Sequence, residues 1–400
     1  MIELLLFTVL GICLGIITGL IPGLHVNTIA VVLVGLSFLE PYYIITLIIS
    51  MAITHTIFDY IPSIFFGAPE PSTALSILPG HRMLLAGRGI HALYFTVVGG
   101  VVSIFITLLL FPLVLFIIPF LYQNIQFYIH WILISIAIFM IMIEPGRKKL
   151  YGAFIFGISG ILGMISLNNF ILPSHMIFFP MFTGLFGIST MIISINNKTQ
   201  IPKQVTWLPK IRTRLAIVGS VKGLFSGMLL GVLPGVGAAQ ATVLTQQITR
   251  KNDPKEFLIS IGAINTIVAL FSLVSLYTIY RPRSGAAVAI NTVIQSFGIT
   301  ELFILLGVAL FSTGVSTLLI LKVAKHIILV LQRINYTKMT LCVLIFLIFM
   351  TAIFTGLYGL LVLGVSTSIG LLAPLFGVKR SLSMGSLMLP LIIFYMTLTF

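Results

Sequence analysis

Two Pro-Gly pairs mark the positions in this sequence where binding chemistry is most strongly indicated. Pro22-Gly23 interrupts the apolar residues 4–39, and Pro234-Gly235 interrupts the apolar residues 215–249. Proline removes a helical hydrogen bond and glycine tolerates a turn, so each pair predicts the tip of a helical hairpin. A helix that restarts at such a tip offers free backbone N–H groups and the positive end of its dipole, and both attract anions.

Polar side chains next to the two tips add donors for the same ligand. A polar cluster follows the first tip, whereas smaller and less polar residues follow the second. We predict one anion site formed by Pro22, Gly23, His25, Asn27, Thr28, Pro234, Gly235, Gly237 and Gln240. Asn27 and Thr28 also suit the cap of the helix that follows them, and that role is compatible with binding.

Arg281 and Arg283 flank Pro282 and are predicted to assist the selection of the anion. The planar guanidinium group offers a fixed fork of donors, which fits a carboxylate or a phosphate with two hydrogen bonds. The alternative is a loop pair at the outer face of the membrane. In that position the arginines would contact lipid phosphates or pair with Glu70 or Asp59.

A second polar group is predicted to line the pathway or to bind a coupling cation. Its members are His55, Thr56, Asp59, Glu70, Ser72, Thr73, Asn265 and Thr266. His55 and Thr56 align with Asn265 and Thr266 at an offset of 210 residues. A charge inside a membrane is costly and is a functional hypothesis by default, whereas a lone His or Thr more often bonds to a neighbouring helix.

Composition places all these residues in a membrane protein. Of the 400 residues 59% are apolar and only 8% are charged, and the mean hydropathy is +1.20. A soluble domain carries about 25% charged residues, so a soluble enzyme, a nucleic-acid-binding protein and a secreted disulfide scaffold are excluded. The metalloprotease, serine hydrolase and P-loop motifs are absent from the sequence, so neither enzymatic activity nor a cofactor or metal is predicted. Any uphill transport must then draw on a Na⁺ or H⁺ gradient or on a partner.

Hydropathy predicts an all-α polytopic protein with about ten transmembrane helices and two re-entrant hairpins. A membrane helix needs roughly 20 mostly apolar residues, and each hairpin limb is shorter than that. The predicted crossings are 42–66, 92–121, 126–143, 150–168, 170–195, 257–280, 302–321, 339–355, 357–376 and 383–400.

An internal repeat relates the two hairpins. Gly15, Gly19, Pro22 and Gly23 match Gly227, Gly231, Pro234 and Gly235 at one offset of 212 residues. We predict a first repeat at 1–195 (hairpin 4–39 plus five crossings), a basic cytoplasmic linker at 196–214 and a second repeat at 215–400 (hairpin 215–249 plus five crossings). Halves of opposite orientation form the inverted repeat that many transporters use.

Charge predicts the orientation. The net charge of +14 comes from 22 Lys and Arg residues against 8 Asp and Glu, and basic residues collect in cytoplasmic loops. With both termini outside, all basic residues except Lys222, Arg281 and Arg283 fall on the inner face. Lys222 is expected to extend to the inner interface. The prediction is a multi-pass protein of the cell membrane.

Several motifs are similar to those of a known family. Gly19-Leu20-Ile21-Pro22-Gly23-Leu24 and Gly231-Val232-Leu233-Pro234-Gly235-Val236-Gly237 resemble the paired signatures of the large permease subunit of tripartite tricarboxylate transporters, the TctA family. The family's next motif is resembled by a series of short stretches further along the chain. They are Phe66-Gly67-Ala68-Pro69, Ala74-Leu75, Pro79-Gly80, Gly87-Arg88-Gly89 and Ala92-Leu93. His25 and Asn27 depart from the pattern, which has small residues after the first Pro-Gly.

The resemblance implies a secondary-active permease for an organic carboxylate. The partners it implies are a small anionic solute, the lipid bilayer, and either a small membrane subunit or a second copy of the chain, with no nucleic acid. A weaker resemblance to polyprenyl-phosphate translocases, which also combine re-entrant segments with Pro-Gly motifs, keeps open the alternative of a flippase for a lipid-linked phosphate.

Overall fold

The computed structural model describes residues 2–21, 26–34, 39–67, 73, 77–168, 171–172, 174–196, 202–232, 241, 253–294, 296–331 and 336–399. Within these residues the chain forms helices and turns, without a strand. The α-helices are α1 (Ile2–Leu20), α2 (Val26–Val34), α3 (Pro41–Phe58), α4 (Ile77–Leu85), α5 (Gly89–Leu109), α6 (Phe111–Ile125), α7 (Ile129–Met142), α8 (Lys148–Leu167), α9 (Ser174–Phe182), α10 (Ser189–Asn196), α11 (Thr213–Val232), α12 (Pro254–Ile279), α13 (Gly285–Val293), α14 (Ile299–Leu331), α15 (Tyr336–Leu375) and α16 (Gly385–Thr399). Two π-helical turns occur at Pro62–Phe66 and Thr183–Ile188, and two 3-10 turns at Gln126–Tyr128 and Arg380–Met384.

Eleven helical segments within the described residues are long and apolar enough to cross a membrane. They confirm the predicted all-α polytopic class. Two of the eleven, α1 and the segment Thr213–Gly231, are the first limbs of the predicted hairpins. The Pro-Gly tips lie outside the described residues, so re-entry of the hairpins stays a prediction.

Helix α15 consists of two helices that meet at a break. At Gly356 the backbone is non-helical (φ 57°, ψ −155°). This break lies between the crossings predicted at 339–355 and 357–376, although the whole of Thr340–Leu375 counts as a single candidate span. The two separate crossings stay a prediction.

The boundary between two predicted crossings is wrong. Hydropathy placed them at 92–121 and 126–143, whereas the structure has one candidate span at Gly89–Leu109 and the next at Phe111–Met142. Leu110 leaves helical geometry (φ −94°, ψ 13°) two residues before Pro112. Proline has no N–H to continue the hydrogen-bond ladder, so the α-helix is interrupted there, and it is interrupted a second time at the 3-10 turn Gln126–Tyr128 that joins α6 to α7.

A ladder of glycines packs α1 against α3, and a second ladder packs α11 against α12. A Cβ atom on Gly15 would lie 2.5 Å from Thr54, and one on Gly227 would lie 2.5 Å from Ile267. Such spacing leaves no room for a side chain, so the glycines set the distance between the helices. Each glycine of the second ladder lies 212 residues after a glycine of the first ladder, which is the same offset that relates the two Pro-Gly motifs.

The packing also corrects the alignment of α3 with α12. In the order of the chain, Gly11, Gly15 and Gly19 face Ser50, Thr54 and Phe58, while Gly223, Gly227 and Gly231 face Ala263, Ile267 and Phe271. This matches α3 to α12 at an offset of 213 residues, under which Asp59 corresponds to Ser272. The offset of 210 that paired His55 with Asn265 is not supported by these contacts.

Helices α5 and α12 approach each other closely at the centre of the main core. A Cβ atom on Gly99 would lie 1.9 Å from the carbonyl oxygen of Ile259, and one on Gly262 would lie 1.9 Å from that of Thr96. The buried apolar residues around this pair come mainly from α3, α5, α12 and α14. Helices α8, α9, α15 and α16 pack around separate apolar clusters and are called the second helix group below.

Replacing Gly262 with alanine is expected to lower the free energy of unfolding by about 1 to 3 kcal/mol, the usual cost of overpacking. The clash is with backbone atoms, which cannot rotate away. Thermal denaturation of the detergent-solubilised protein measures the effect. Gly314→Ala is the matched control, since a Cβ there meets nothing within 4 Å. Equal melting of the two variants would contradict the prediction.

The linker between the two halves is tied to the turn between α4 and α5. The side chain of Gln204 spans that turn: Nε2 donates to the Leu84 carbonyl oxygen at 2.7 Å, and Oε1 accepts from the Gly89 N–H at 3.0 Å. Two further hydrogen bonds join Val205 to Gly87 and His91 to Trp207. The described part of the linker is therefore bound to the first half and is not a free tether.

Candidate functional site

The segment that carries Arg281 and Arg283 folds back along α12. The helix ends at Tyr280, whose left-handed backbone (φ 53°) turns the chain. Past the turn, the N–H of Arg283 donates to the Ser272 hydroxyl of α12 at 2.9 Å. Ser284 then caps α13 by accepting a hydrogen bond from the first turn of that helix. The turn and the cap hold both arginines at the junction of the two helices.

Both guanidinium groups lie over the ring of Tyr122, near the end of α6. The Cζ atoms of Arg281 and Arg283 are 5.7 Å and 5.2 Å from the ring centroid. These distances are within the range of cation–π attraction. Two positive charges thus converge on a single ring, and an anion beside them would relieve their mutual repulsion.

The Arg283 guanidinium has donors without acceptors. Its Nε and Nη2 atoms are buried and have no hydrogen-bond partner among the described residues. Burial lowers the pKa of Arg283 from its usual value, and the nearby Tyr122 and Tyr395 oppose that shift. The group nevertheless keeps its proton, because arginine is not deprotonated in proteins. Because unpaired buried donors are unfavourable, the arrangement favours an anionic oxygen that reaches both nitrogen atoms.

Asp59 is a fully buried carboxylate at the end of α3. The Nδ2 atom of Asn265, on α12, lies 3.3 Å and 3.5 Å from the two Asp59 carboxylate oxygens and 3.2 Å from the Thr56 carbonyl oxygen. The Ser63 hydroxyl donates to the Asp59 carbonyl oxygen at 2.9 Å and lies 2.5 Å from the Thr73 hydroxyl. These five residues form the Asp59 cluster, which draws on both halves of the chain.

The local sequence explains why α3 changes geometry beside Asp59. Pro62 cannot donate a backbone hydrogen bond, and the turn from Pro62 to Phe66 is π-helical and ends at Gly67, whose φ is 68°. π-helical turns occur frequently at functional sites. The Ser63 hydroxyl keeps the bond to a carbonyl oxygen four residues earlier that is usual for helical serines, here that of Asp59.

The two other predicted pathway residues that the structure describes have different neighbours. His55 is buried one turn before Asp59, and its Nδ1 atom lies 3.1 Å from the Thr18 hydroxyl of α1. The Thr266 hydroxyl donates to a carbonyl oxygen of its own helix at 3.0 Å and packs against Gly100 of α5. The structure therefore groups His55 with the α1–α3 contact and Thr266 with the α5–α12 contact.

The arginine pair and the Asp59 cluster lie on the same face of α12. Asn265 contacts the cluster and Ser272 contacts the arginine segment, and the seven residues between them make two turns, about 10 Å along the axis. Helix α13 packs against α2 and α3. It thereby places the helix that follows the arginines beside the helix that follows the first Pro-Gly tip.

Part of the predicted site lies outside the described residues. These residues are Pro22, Gly23, His25, Glu70, Ser72, Pro234, Gly235, Gly237 and Gln240. The backbone of Asn27 and Thr28 lies in the first turn of α2. The anion site at the two tips thus stays a prediction.

Sequence reasoning missed three residues that surround the arginines: Tyr122, Ser272 and Tyr395. Ser272 has a signal in the sequence, because it corresponds to Asp59 under the 213-residue offset. Tyr122 and Tyr395 lie in apolar spans without a motif. Only the packing of α6 and α16 brings them to the arginines.

The extension of Lys222 to the inner interface stays a prediction. The Lys222 ammonium group forms an ion pair with Glu256 that joins α11 to α12. Lys222 is therefore paired within the protein, which leaves Arg281 and Arg283 as the basic residues that the charge distribution does not explain.

The chain has membrane-spanning helices and two helix pairs that pack alike, α1 with α3 and α11 with α12. The charged groups of Asp59, Arg281 and Arg283 lie near these pairs. Such an arrangement is typical of a membrane transport protein. The family model of the tripartite tricarboxylate transporter TctA family matches residues 5–385, and the chain belongs to this family. An uncharacterized protein of Methanocaldococcus jannaschii is 31% identical, over 98% of this chain and 99% of that protein. No solved structure matches. The family confirms the resemblance seen in the Pro-Gly motifs and makes the chain a multi-pass transporter subunit of the cell membrane.

Proposed function

We propose that the protein is the secondary-active permease for an organic carboxylate, which binds at Arg281 and Arg283 beside the two Pro-Gly tips. Membership of a tripartite tricarboxylate transporter family supports the transport of a carboxylate. The site itself is proposed on the chemistry of the two arginines.

The observation that carries the proposal is the pair of unsatisfied nitrogen atoms on Arg283. Nε and Nη2 form one edge of the guanidinium fork, and both are buried without an acceptor among the described residues. That edge matches the two oxygens of a carboxylate. Arg281 adds a second positive charge over the same Tyr122 ring, which favours an anion with more than one carboxylate.

Asp59 is proposed to bind the coupling H⁺ or Na⁺. The sequence has no nucleotide-binding motif, so an ion gradient is the expected source of energy for the permease. Besides its carboxylate, the Asp59 cluster contains hydroxyl and carbonyl oxygens, and hard cations prefer such ligands. The cluster lies about two helical turns from the arginine segment, close enough for a bound cation and a bound anion to attract each other across the same face of α12.

A lipid-linked phosphate is the second candidate substrate. Tyr122, whose ring lies beneath both guanidinium groups, is on α6. Phe116 and Phe120 of the same helix are 69% and 57% exposed. An exposed aromatic face on a membrane helix contacts lipid. The phosphate head group of a lipid in the bilayer would bind to the same two guanidinium groups as a carboxylate.

Ligand-dependent thermal stability of the purified chain separates the two candidates, because a ligand that binds the native state raises Tm. Citrate, a monocarboxylate, inorganic phosphate and a polyprenyl phosphate are compared at equal ionic strength. We expect citrate to raise Tm strongly and the monocarboxylate weakly. A rise with the polyprenyl phosphate alone would replace the proposal with the flippase. No rise with any of the four would overturn both.

A further inference from the structure

Basic side chains gather at one end of the second helix group. The turn into α8 carries Arg147, Lys148 and Lys149, and the segment after α15 carries Lys379. Three of these residues are exposed, and Lys149 is half-buried. We call the four residues the basic corner. The proposed carboxylate site does not use them, so their arrangement needs a separate explanation.

Two hydrogen bonds join the two chain segments of the basic corner. The Lys148 ammonium group donates to the Gly377 carbonyl oxygen at 2.9 Å. A Cβ atom on Gly377 would lie 3.0 Å from that ammonium group, so the glycine leaves room for the contact. The Lys379 backbone N–H donates to the Glu144 carboxylate at 3.2 Å. These bonds hold Lys148 and Lys379 at one surface, although the two lysines come from opposite halves of the chain.

The basic corner has too few carboxylates to balance its charges. Glu144 is the one acidic residue between α7 and α8, and it is buried, where its side chain accepts from the Lys379 backbone. The first turn of α8 contains no acidic residue. The one ion pair among the described residues joins Lys222 to Glu256 on other helices. The corner therefore keeps a net positive charge, which an anion from outside the chain would stabilise.

Exposed apolar side chains border the basic corner. Leu150, directly after Lys149, is 73% exposed, and Leu375, directly before Phe376, is 75% exposed. Both leucines belong to candidate membrane spans. Tyr151 stacks on Phe376 with the ring centroids 4.8 Å apart, and tyrosine is enriched where membrane helices meet the lipid head groups. A ligand bound here meets cations at one end and apolar side chains at the other.

We infer that the basic corner binds an anionic phospholipid, with the phosphate at Arg147, Lys148 and Lys379 and the acyl chains along Leu150 and Leu375. This inference does not rest on the proposed substrate. A soluble phosphate would match the cations but not the exposed leucines, and a zwitterionic lipid would match the leucines but not the net charge. Basic clusters beside a membrane helix attract the anionic head groups of the cytoplasmic leaflet, to which the predicted orientation assigns this end.

Tyr151→Trp reports which lipid occupies the basic corner. The two native tryptophans are removed by Trp131→Phe and Trp207→Phe, and the full-length reporter chain is reconstituted in phosphatidylcholine vesicles. Brominated phosphatidylglycerol and brominated phosphatidylcholine, compared at equal mole fraction, quench the fluorescence in proportion to their binding. We expect phosphatidylglycerol to bind at least about fivefold more tightly. Equal quenching by the two lipids would overturn the lipid site.

Substitutions in the reporter chain show whether the lipid preference belongs to the basic corner. Lys148→Gln and Lys379→Gln should each lower the preference by about fivefold, the factor expected for one basic residue near an anionic lipid. Arg147→Gln should act alike, and it leaves the bond from Lys148 to Gly377 in place. Lys325→Gln is the matched control, because Lys325 is an exposed basic residue on α14. A preference that survives Lys148→Gln combined with Lys379→Gln, or that falls equally in Lys325→Gln, would overturn the inference.

Soluble anions distinguish a lipid site from a site for free phosphate. Glycerol 3-phosphate and inorganic phosphate are added separately to the vesicles at constant ionic strength. Quenching by brominated phosphatidylglycerol should persist, because neither anion has acyl chains to pack along Leu150 and Leu375. Displacement of the brominated lipid by either anion would identify a site for soluble phosphates and overturn its assignment to a phospholipid.

Discussion

Replacing Arg283 with glutamine is expected to weaken citrate binding by about 30- to 140-fold. The substitution keeps a polar side chain of similar length but removes the charge and the Nε–Nη2 edge, which lacks acceptors in the described structure. Charge-assisted hydrogen bonds are worth about 2 to 3 kcal/mol, and each 1.4 kcal/mol corresponds to a factor of ten in affinity. Citrate titration of the purified chain measures the change directly.

Three further variants show whether the effect belongs to the fork of Arg283. Arg283→Lys keeps the charge and should recover only part of the affinity, since an ammonium group cannot bind both oxygens in one plane. Arg281→Gln should cost less, because Arg281 is exposed. Tyr122→Phe keeps the ring beneath both cations and should bind nearly as wild type. An Arg281→Gln variant that binds more weakly than Arg283→Gln would reverse the assignment.

Replacing Asp59 with asparagine is expected to reduce gradient-driven accumulation of the carboxylate by about 40-fold while preserving exchange. Asparagine has the shape of a protonated aspartate but neither releases a proton nor offers a charge to Na⁺. One elementary charge moved through 100 mV is worth about 2.3 kcal/mol, so the loss of one coupled cation reduces the accumulation ratio by about 40-fold. Proteoliposomes with an imposed gradient give the ratio, and counterflow of labelled citrate gives the exchange.

Glu144→Gln is the control for the Asp59 prediction. Glu144 is also a buried carboxylate, but it accepts a hydrogen bond from the Lys379 backbone N–H at 3.2 Å, outside the Asp59 cluster. Its substitution should leave the accumulation ratio unchanged. Gradient-driven accumulation by Asp59→Asn at the wild-type level would remove Asp59 from the coupling mechanism.

The membrane helices were predictable because hydropathy and length determine them almost alone. The break at Gly356 was also predictable, since a glycine between two apolar runs of about 17 and 20 residues leaves each run about the length of one crossing. The break at Leu110 was missed because Pro112 lies in an uninterrupted apolar run, where hydropathy has no minimum. Proline acts there through a missing hydrogen bond, which a hydropathy profile does not register.

The arginine site was predictable only in part. Arg281 and Arg283 were identified from charge, because they did not fit the inner face. Tyr122, which contacts both, lies about 160 residues earlier in the chain, and nothing in its surroundings distinguishes it from an interfacial tyrosine. Contacts between distant helices depend on side-chain shape along the whole interface, which a single sequence does not specify.

The repeated helix pairs have diverged at the position where each would contribute a polar group. Asp59 of α3 offers a carboxylate, whereas its counterpart Ser272 on α12 offers a hydroxyl that accepts from the Arg283 backbone. One pair thus presents a negative charge and the other positions a positive one. A repeat with identical residues in both halves could not bind a cation and an anion side by side.

The binding of Gln204 to the turn between α4 and α5 limits how far the second hairpin can travel. Only residues 208–212 connect the bound part of the linker, which ends at Trp207, to the start of α11 at Thr213. Fully extended, that connection reaches about 20 Å, less than the roughly 30 Å thickness of the hydrocarbon core. The second hairpin therefore cannot cross the membrane independently of the first half. A displacement that takes the start of α11 more than about 20 Å from Trp207 must carry α4 and α5 with it, as long as these hydrogen bonds hold.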